Sequence, residues 1–399
     1  MKIALIVRRL NVAGGIQRLA IELARFLEQR GHNIVFYTFV YDQSLCFESL
    51  SHFKVVTLPE DRKIRFFKYI PFFGPIIKEG LESKRLAGLI DKDTELLNPH
   101  GEASYKVAYY FKQRKKISSV WMMNDMITKQ VSFERAQAND QTLRLTFWKK
   151  MIYKVFDWIE IKKYVSCQDA IVVHNKREAA WAKKYFGRPA AVVPGGLNSD
   201  DFPFVSHKPP TGKISLVTMG ILFPHRRYED TIKTLSALSK RGFDVRLYII
   251  GAFRSSDRYF KKLKIIIESL GLSDRVEFLG ALSQNAVLSI YAYSDIFVFV
   301  SHMQSWGLAV FEALASGLPV VVSKTAGASE ILTDHKNALI VEPKNPRALA
   351  AAVQELIEDS ELYKKLALNG NDFVRHSVSW EKFGSQLEDI FLQTRDQKL

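Results

Sequence analysis

The chain has 399 residues, 47% hydrophobic and 25% charged, with two cysteines, Cys46 and Cys167. At ~100–200 residues per domain that length gives two domains or three. Two cysteines are too few for a disulfide framework or a cysteine-built zinc site. MKIALIVRRL at the start is broken by arginines and lacks a signal-peptide pattern, and no stretch approaches the ~20 apolar residues of a membrane span, so we expect a soluble, cytoplasmic chain. The net charge is +15, and residues 1–200 carry most of it, with 33 basic against 20 acidic residues. Nucleic acid, an anionic membrane surface or a phosphorylated substrate would each favour so basic a half.

Taken in chain order, Lys2–Val7 predicts a strand and Asn11–Gly15 a glycine turn. Gln17–Gln29 then predicts a helix with Leu19, Ala20, Leu23, Ala24 and Leu27 on one face. Gly31 ends that helix, and Asn33–Val40 is the next strand. Strand, glycine turn, helix, strand opens a doubly wound parallel sheet. Further strands are predicted at Glu95–Asn98, Ser119–Met123, Ala170–Val173 and Ala191–Val193. Asp200–Lys213, with three prolines and no period, reads as a linker. The pattern restarts at Ile214–Gly220, with a helix at Tyr228–Lys240 and a strand at Val245–Gly251. Strands follow at Arg275–Gly280, Ile296–Val300, Leu318–Ser323 and Ala338–Val341. The expectation is a two-domain α/β protein with a cleft between its halves.

Three stretches carry chemistry. In Ser294–Ser323 a strand leads through the loop Ser301–Gly307 into the helix Leu308–Ser316. The free backbone N–H groups at Trp306-Gly307-Leu308 suit a diphosphate, and Glu312, one turn in, could accept two ribose hydroxyls. The other reading of Glu312 is a solvated helix carboxylate. In Thr218–Asp230 a strand ends in Gly220, and Arg226 and Arg227 precede a helix. Adjacent arginines there suit phosphate binding; the alternatives are a solvated loop or a pair with Glu229 and Asp230. In Arg9–Arg18, Gly14 and Gly15 open the first helix and would let backbone approach a ligand. The alternative is a plain tight turn, and the spacing is not a GxGxxG fingerprint. A GxxxxGK[ST] loop, an HExxH, a GxSxG elbow and a strand-end DxD pair are all missing, which disfavours a metal-dependent transferase.

These residues resemble the retaining, nucleotide-sugar-dependent glycosyltransferases of family 4, with its group 1 domain. The resemblance is specific from Lys213 to about Glu358 and looser before. It rests on LYIIG at 247–251, DRVEFLGAL at 274–282, SWGLAVFEALASGLPVVVS at 305–323, GASEIL at 327–332 and ALIVEPKNPRALA at 338–350. PGGLNSDDF at 194–202 resembles the family's hinge, and GGIQR at 14–18 its N-terminal glycine loop. The resemblance implies a GT-B fold of two Rossmann-like doubly wound domains facing across a cleft. It puts residues 1–203 in an acceptor domain and 204–376 in a donor domain, with a final helix near 377–399 crossing back onto the first. It assigns the donor ribose to Glu312 and the sugar and diphosphate to Ser305, Trp306, Gly307 and Leu308. The diphosphate cation falls on Arg226, helped by Arg227; the closing loop falls on Gly14 and Gly15, and the base on backbone near Gly280. It implies a nucleotide-sugar co-substrate, GDP- or UDP-linked, with no separate cofactor and no metal. The reaction is a same-face displacement in which the leaving phosphate helps deprotonate the acceptor.

The sequence departs from that pattern. The first glutamate of the family's E-x7-E motif falls on Gln304, which can bind sugar hydroxyls but carries no charge. Ile221 stands where an arginine usually follows the strand-end glycine. The usual N-domain histidine falls on Asn124, which leaves His100, in LLNPHG, as the histidine candidate on the acceptor side; its other reading is a loop histidine. The expected function is transfer of a hexose, with mannose as the guess, to a glycan or lipid-linked acceptor. The competing reading is a catalytically impaired binder of the same fold.

Two basic-aromatic stretches lie in the first half, Arg62–Arg85 and Phe147–Lys163. They suit peripheral attachment to the cytoplasmic membrane face. The alternative, stronger for the second stretch, is that its aromatics are core. Nucleic acid is not expected, because no helix-turn-helix, RRM or zinc motif is visible.

Overall fold

A computed structural model describes residues 1–61, 74–124 and 146–397. They form two compact units, one of Met1–Gly196 with Trp380–Leu399 and one of Leu197–Ser379. Residues 62–73, most of the first basic-aromatic stretch, lie outside the described residues.

In the first unit, β1 (Lys2–Leu10), α1 (Gly15–Gln29), β2 (Asn33–Tyr41) and β3 (Lys54–Thr57) come first. Then follow α2 (Gly74–Leu89), β4 (Leu96–His100), α3 (Ser104–Lys112), β5 (Ser118–Met122) and α4 (Phe147–Ile159). β6 (Ala170–Val173), α5 (Lys176–Trp181) and β7 (Ala191–Val192) complete a parallel sheet of order β3-β2-β1-β4-β5-β6-β7. β1 shows why its sequence is nearly all apolar. Ile3, Leu5 and Val7 enter the core on one face, and Ala4 and Ile6 the core on the other. A strand covered on both faces has no polar side to alternate. The edge strand β3, half exposed, carried no such signal and went unpredicted. The terminal helix Trp380–Asp396 packs against α1, with Phe383, Leu387 and Phe391 in its core. Glu388 there binds Arg30 at 3.1 Å and His32 at 2.8 Å.

The second unit repeats the plan with β8 (Lys213–Met219), α6 (Tyr228–Lys240), β9 (Asp244–Ile250), α7 (Arg258–Ser269) and β10 (Val276–Gly280). α8 (Gln284–Tyr293), β11 (Ile296–Phe299), α9 (Leu308–Ala315), β12 (Val320–Ser323), β13 (Leu339–Val341), α10 (Pro346–Glu358) and α11 (Ser360–Ser377) follow. The parallel sheet runs β10-β9-β8-β11-β12-β13. The stretch Asp200–Lys213 is not a free linker. Phe202 is buried in this unit's core, and the Val205 N–H donates to the Ser316 carbonyl at 3.1 Å. Its prolines exclude regular structure, but its apolar side chains still pack.

Each sheet has a place where the strand order reverses. It lies between β1 and β4 in the first unit and between β8 and β11 in the second. Loops leaving the C-terminal ends of such strands diverge, which leaves a crevice for a ligand. Gly14, Gly15 and His100 lie on the first switch point; Arg226, Gln304 and Glu312 lie on elements leaving the second.

Candidate functional site

The second switch point is built on glycine. At Gly251, φ is +154°, and an added Cβ would sit 2.0 Å from the Gly220 carbonyl oxygen. Only a residue without a side chain lets the ends of β8 and β9 approach so closely. After Gly220 a 3-10 turn, Pro224–Arg226, leads into α6. Its His225 carbonyl accepts from the His302 N–H at 2.7 Å and the Ser301 hydroxyl at 3.2 Å. The loop after β8 is thereby stitched to the loop after β11. The Gln304 backbone is pinned in turn, its N–H donating to Thr325 and its carbonyl accepting from Gly327.

Arg226 folds back over Gly220 and stacks on Phe299, its guanidinium carbon 5.1 Å from the ring centre. Its Nε is buried with no hydrogen-bond partner. Burial lowers its pKa from the ordinary guanidinium value, yet an arginine remains charged. The Phe299 ring also lies 3.2 Å from the place a Cβ of Gly307 would take. Gly307, at φ +114°, is the residue before α9 and offers no capping side chain. The first N–H groups of α9 therefore have no side-chain cap at the end where the dipole is positive. Phe299 thus brings the cation and the helix start together.

Glu312, in α9, is buried, so it is not a solvated helix carboxylate. Burial first, and then the Glu312 charge, hold the Tyr291 phenol well above its usual range. Tyr291 in turn reaches the Met219 sulfur at the end of β8, 3.8 Å away. Trp306 is buried and packs on Phe311, ring centres 4.9 Å apart; Ser305 and Leu308 are half-buried beside it. Gly280 ends β10, and its carbonyl accepts from the Gly251 N–H at 2.8 Å.

Arg227 corrects the sequence-based expectation. Its guanidinium grips Asp230 through two bonds of 2.9 and 2.8 Å and lies 3.2 Å from Glu229. Burial opposes its charge, and the two carboxylates outweigh burial. The fork is committed to α6, so the pair with Glu229 and Asp230 is the reading the geometry supports. Of the two arginines, Arg226 alone has an unpartnered buried nitrogen.

In the first unit, Gly14 precedes α1 and again offers no capping side chain. His100 is the last residue of β4, not a loop histidine, and is buried. It belongs to a chain of polar groups running across three strands. The Asn98 amide donates to the Val120 carbonyl at 2.6 Å, and Asn98 Oδ1 meets His100 Nε2 at 2.8 Å. Asn124 lies 3.5 Å from His100 Nδ1 and 2.9 Å from His174 Nε2. His174 Nδ1 meets the Val193 carbonyl at 3.1 Å. Both ends of this chain are acceptors. With neutral rings, four side chains supply four protons to five contacts, so one contact lacks a proton. Burial, and then His174, push the His100 imidazole down to about 3. Burial pushes His174 down to about 4, against its bond to Val193, which raises it. His100 is therefore a neutral, positioned ring at pH 7 and not an acid. His174 was missed by sequence reading; nothing in VVHNK marks it as the far end of a chain that begins at Asn98.

A second concavity in this unit, about 130 Å³, lies where α2, α3 and α4 meet. Lys106 is buried there between Glu79 at 2.8 Å and Glu160 at 2.9 Å. Burial opposes its charge, and the two glutamates raise its pKa on balance.

Comparison with known proteins covers nearly the whole chain. Residues 13–201 match the model for Glycosyltransferase Family 4, and residues 199–373 match that for Glycosyl transferases group 1. Mannosylfructose-phosphate synthase of Agrobacterium fabrum is 28% identical over 180 residues, 44% of this chain and 39% of its own length. The aligned part of this chain spans about two fifths of the length of the curated relatives it matches first. Among solved structures, sucrose-phosphate synthase from Thermosynechococcus elongatus superposes with a TM-score of 0.79 at 19% identity, over 98% of both chains. Anabaena HepE in complex with UDP and glucose does so with a TM-score of 0.75 at 17% identity, over 98% of this chain and 100% of its own. Two doubly wound parallel sheets, a glycine-built switch point and two adjoining family models point the same way: the chain belongs to the GT-B glycosyltransferases of family 4, with a group 1 domain.

Proposed function

We propose that this protein transfers a hexose, with mannose the first candidate, from a GDP- or UDP-linked donor to a glycan or lipid-linked acceptor. The transfer retains anomeric configuration and uses neither metal nor a separate cofactor. The observation that carries this reading is the buried, unpartnered Nε of Arg226, held on Phe299 beside the uncapped start of α9. A diphosphate would supply the missing acceptor and meet the positive helix end. Glu312 would take the ribose hydroxyls, and Gln304 with the amides near Trp306, Gly307 and Leu308 the sugar. As the bond from the anomeric carbon to the diphosphate breaks, Arg226 offsets the charge on the leaving group. The acceptor oxygen bonds to that carbon on the same face and gives its proton to the leaving phosphate. On the acceptor side His100, whose ring nitrogens face Asn98 and Asn124, would orient Asn124, whose second amide proton is left for an acceptor hydroxyl. The similarity to mannosylfructose-phosphate synthase favours mannose, and the UDP bound by HepE favours a UDP-linked donor.

Calorimetry without added metal, with GDP and with UDP, tests the donor site. One nucleotide is expected to bind, and Glu312→Gln should weaken it about 10–100-fold, the loss of a charged hydrogen-bond acceptor. Binding of neither nucleotide would end the proposal. Gln304 favours a second reading, a binder that has lost turnover. Nucleotide binding without sugar transfer to any glycan or lipid-linked acceptor would select it.

A further inference from the structure

Three of the aromatic residues of α4 are exposed, while Tyr153 and Phe156 are half-buried. Phe147 is 69% exposed, Trp148 75%, Val155 52% and Trp158 62%. The alternative that these side chains are core is therefore set aside. At 100° per residue, Phe147, Met151, Val155 and Trp158 share one row, and Trp148 and Ile159 lie beside it. Together they form one continuous apolar stripe, opposite the face that packs. That packed face carries Asp157, which is buried, and Glu160, which is bonded to Lys106 and Tyr105.

Asp157 of α4 and Glu160 of the π-helical turn Glu160–Val165 that continues it are thus turned inward, while Lys149, Lys150, Lys154 and, in that turn, Lys162 are exposed. None of these four lysines pairs with a carboxylate among the described residues. A contiguous exposed apolar stripe that includes two tryptophans marks an interaction surface. A second copy of this chain on the stripe would bring lysines against lysines. Anionic lipid offers both halves of what the face lacks, an apolar layer for the rings and phosphates for the amines. Thirteen residues reach only ~20 Å, and no described helix is long and apolar enough to cross a membrane, so α4 would lie flat.

We infer that the exposed stripe of α4, with its flanking lysines, docks this protein on an anionic bilayer. The opposite face of the same helix contributes Phe156 and Asp157, and the turn after it Glu160, to the 130 Å³ concavity. Docking would therefore hold that concavity within one helix diameter of the lipid headgroups, where a lipid-linked acceptor presents its sugar. The inference deepens the lipid-linked part of the proposed function. Its assay uses no nucleotide, so failure of docking and failure of donor binding are read separately.

The test is flotation of the full chain with vesicles of phosphatidylcholine alone and with 30% phosphatidylglycerol, a proportion of about a third chosen to mimic an anionic leaflet. Binding is expected to the anionic vesicles only. Lys149→Glu/Lys150→Glu/Lys154→Glu should lower it at least ~100-fold, three lysines each being worth ~5-fold. Trp148→Ser/Trp158→Ser should lower it at least ~10-fold. All five positions are exposed, so both variants should keep the thermal unfolding midpoint and nucleotide affinity of the wild type. Equal failure to bind both vesicles would overturn the inference. So would lipid binding unchanged by the tryptophan variant. A wild-type dimer by light scattering that the tryptophan variant converts to monomer would overturn it too, by assigning the stripe to a second copy.

Discussion

The two switch points share one topology and hold opposite chemistry. At the first, between β1 and β4, His100 is buried and neutral and heads a chain of buried polar groups through Asn124 after β5 to His174 after β6. At the second, between β8 and β11, the buried Nε of the half-buried Arg226 lacks a partner, and a buried carboxylate lies on the helix that follows β11. A buried charge is costly unless something compensates it. The unpartnered Arg226 nitrogen is the group that a charged ligand would complete under the proposed function, whereas the groups at the first site already satisfy one another in all but one contact. Equal folds do not make equal sites; the side chains on the loops do.

Substitutions at the two switch points should differ in cost. Gly251→Ala would force a Cβ into the Gly220 carbonyl at φ +154°. It should cost the second unit on the order of 4 kcal/mol or more. Gly101→Ala, after β4, meets only Ile16 at 3.6 Å and should cost the first unit about 1–2 kcal/mol. Urea unfolding of both variants checks this, and equal costs would mean that the second site is not the tighter.

The adjacent arginines should then separate. Arg227→Met leaves Asp230 buried without its cation and Glu229 with only Lys262, 3.7 Å away, and the Tyr259 hydroxyl, and should destabilise the second unit by about 3 kcal/mol. Arg226→Met removes an unpaired buried nitrogen, so stability should hold while nucleotide affinity falls about 100-fold. Paired calorimetry and unfolding curves decide; a large stability loss in Arg226→Met would show a structural cation instead.

The smallest effect sharpens the first site. His100 and His174 have folded pKa values of about 3 and about 4, below the ~6.5 of an unfolded chain. Between those limits the unfolded chain takes up protons that the folded unit refuses, so stability is lost as pH falls from ~6.5 towards 4. The slope should be on the order of 1 kcal/mol per pH unit for each histidine. Unfolding at pH 7, 6 and 5 should show it, and His174→Gln should remove its share; an unchanged slope would place the protons elsewhere.

Much of this was legible in residues read singly or in short runs. SDIFVFVS reads as a strand because both its faces are apolar, and Tyr228–Lys240 reads as a helix whose limits are those found. Arg226, Glu312 and Gly307 stood out because strand end, loop and helix start follow one another in sequence. The roles of Phe299 and the His225 carbonyl did not stand out. A strand phenylalanine looks like any other, and a carbonyl has no letter of its own. The direction in which α4 faces was also hidden, because helical spacing marks an apolar stripe without saying whether anything covers it.

The sequence by itself determined two parallel-sheet units, the glycine turns at their strand ends and the family, since these depend on local period, backbone freedom and contiguous motifs. Tertiary structure alone decided which arginine keeps an unpaired nitrogen, which histidines share a proton-poor chain, and which aromatic residues face outward. Each of those depends on neighbours distant in the chain: Arg226 on Phe299, His100 on His174, and α4 on the helices that cover only one of its sides.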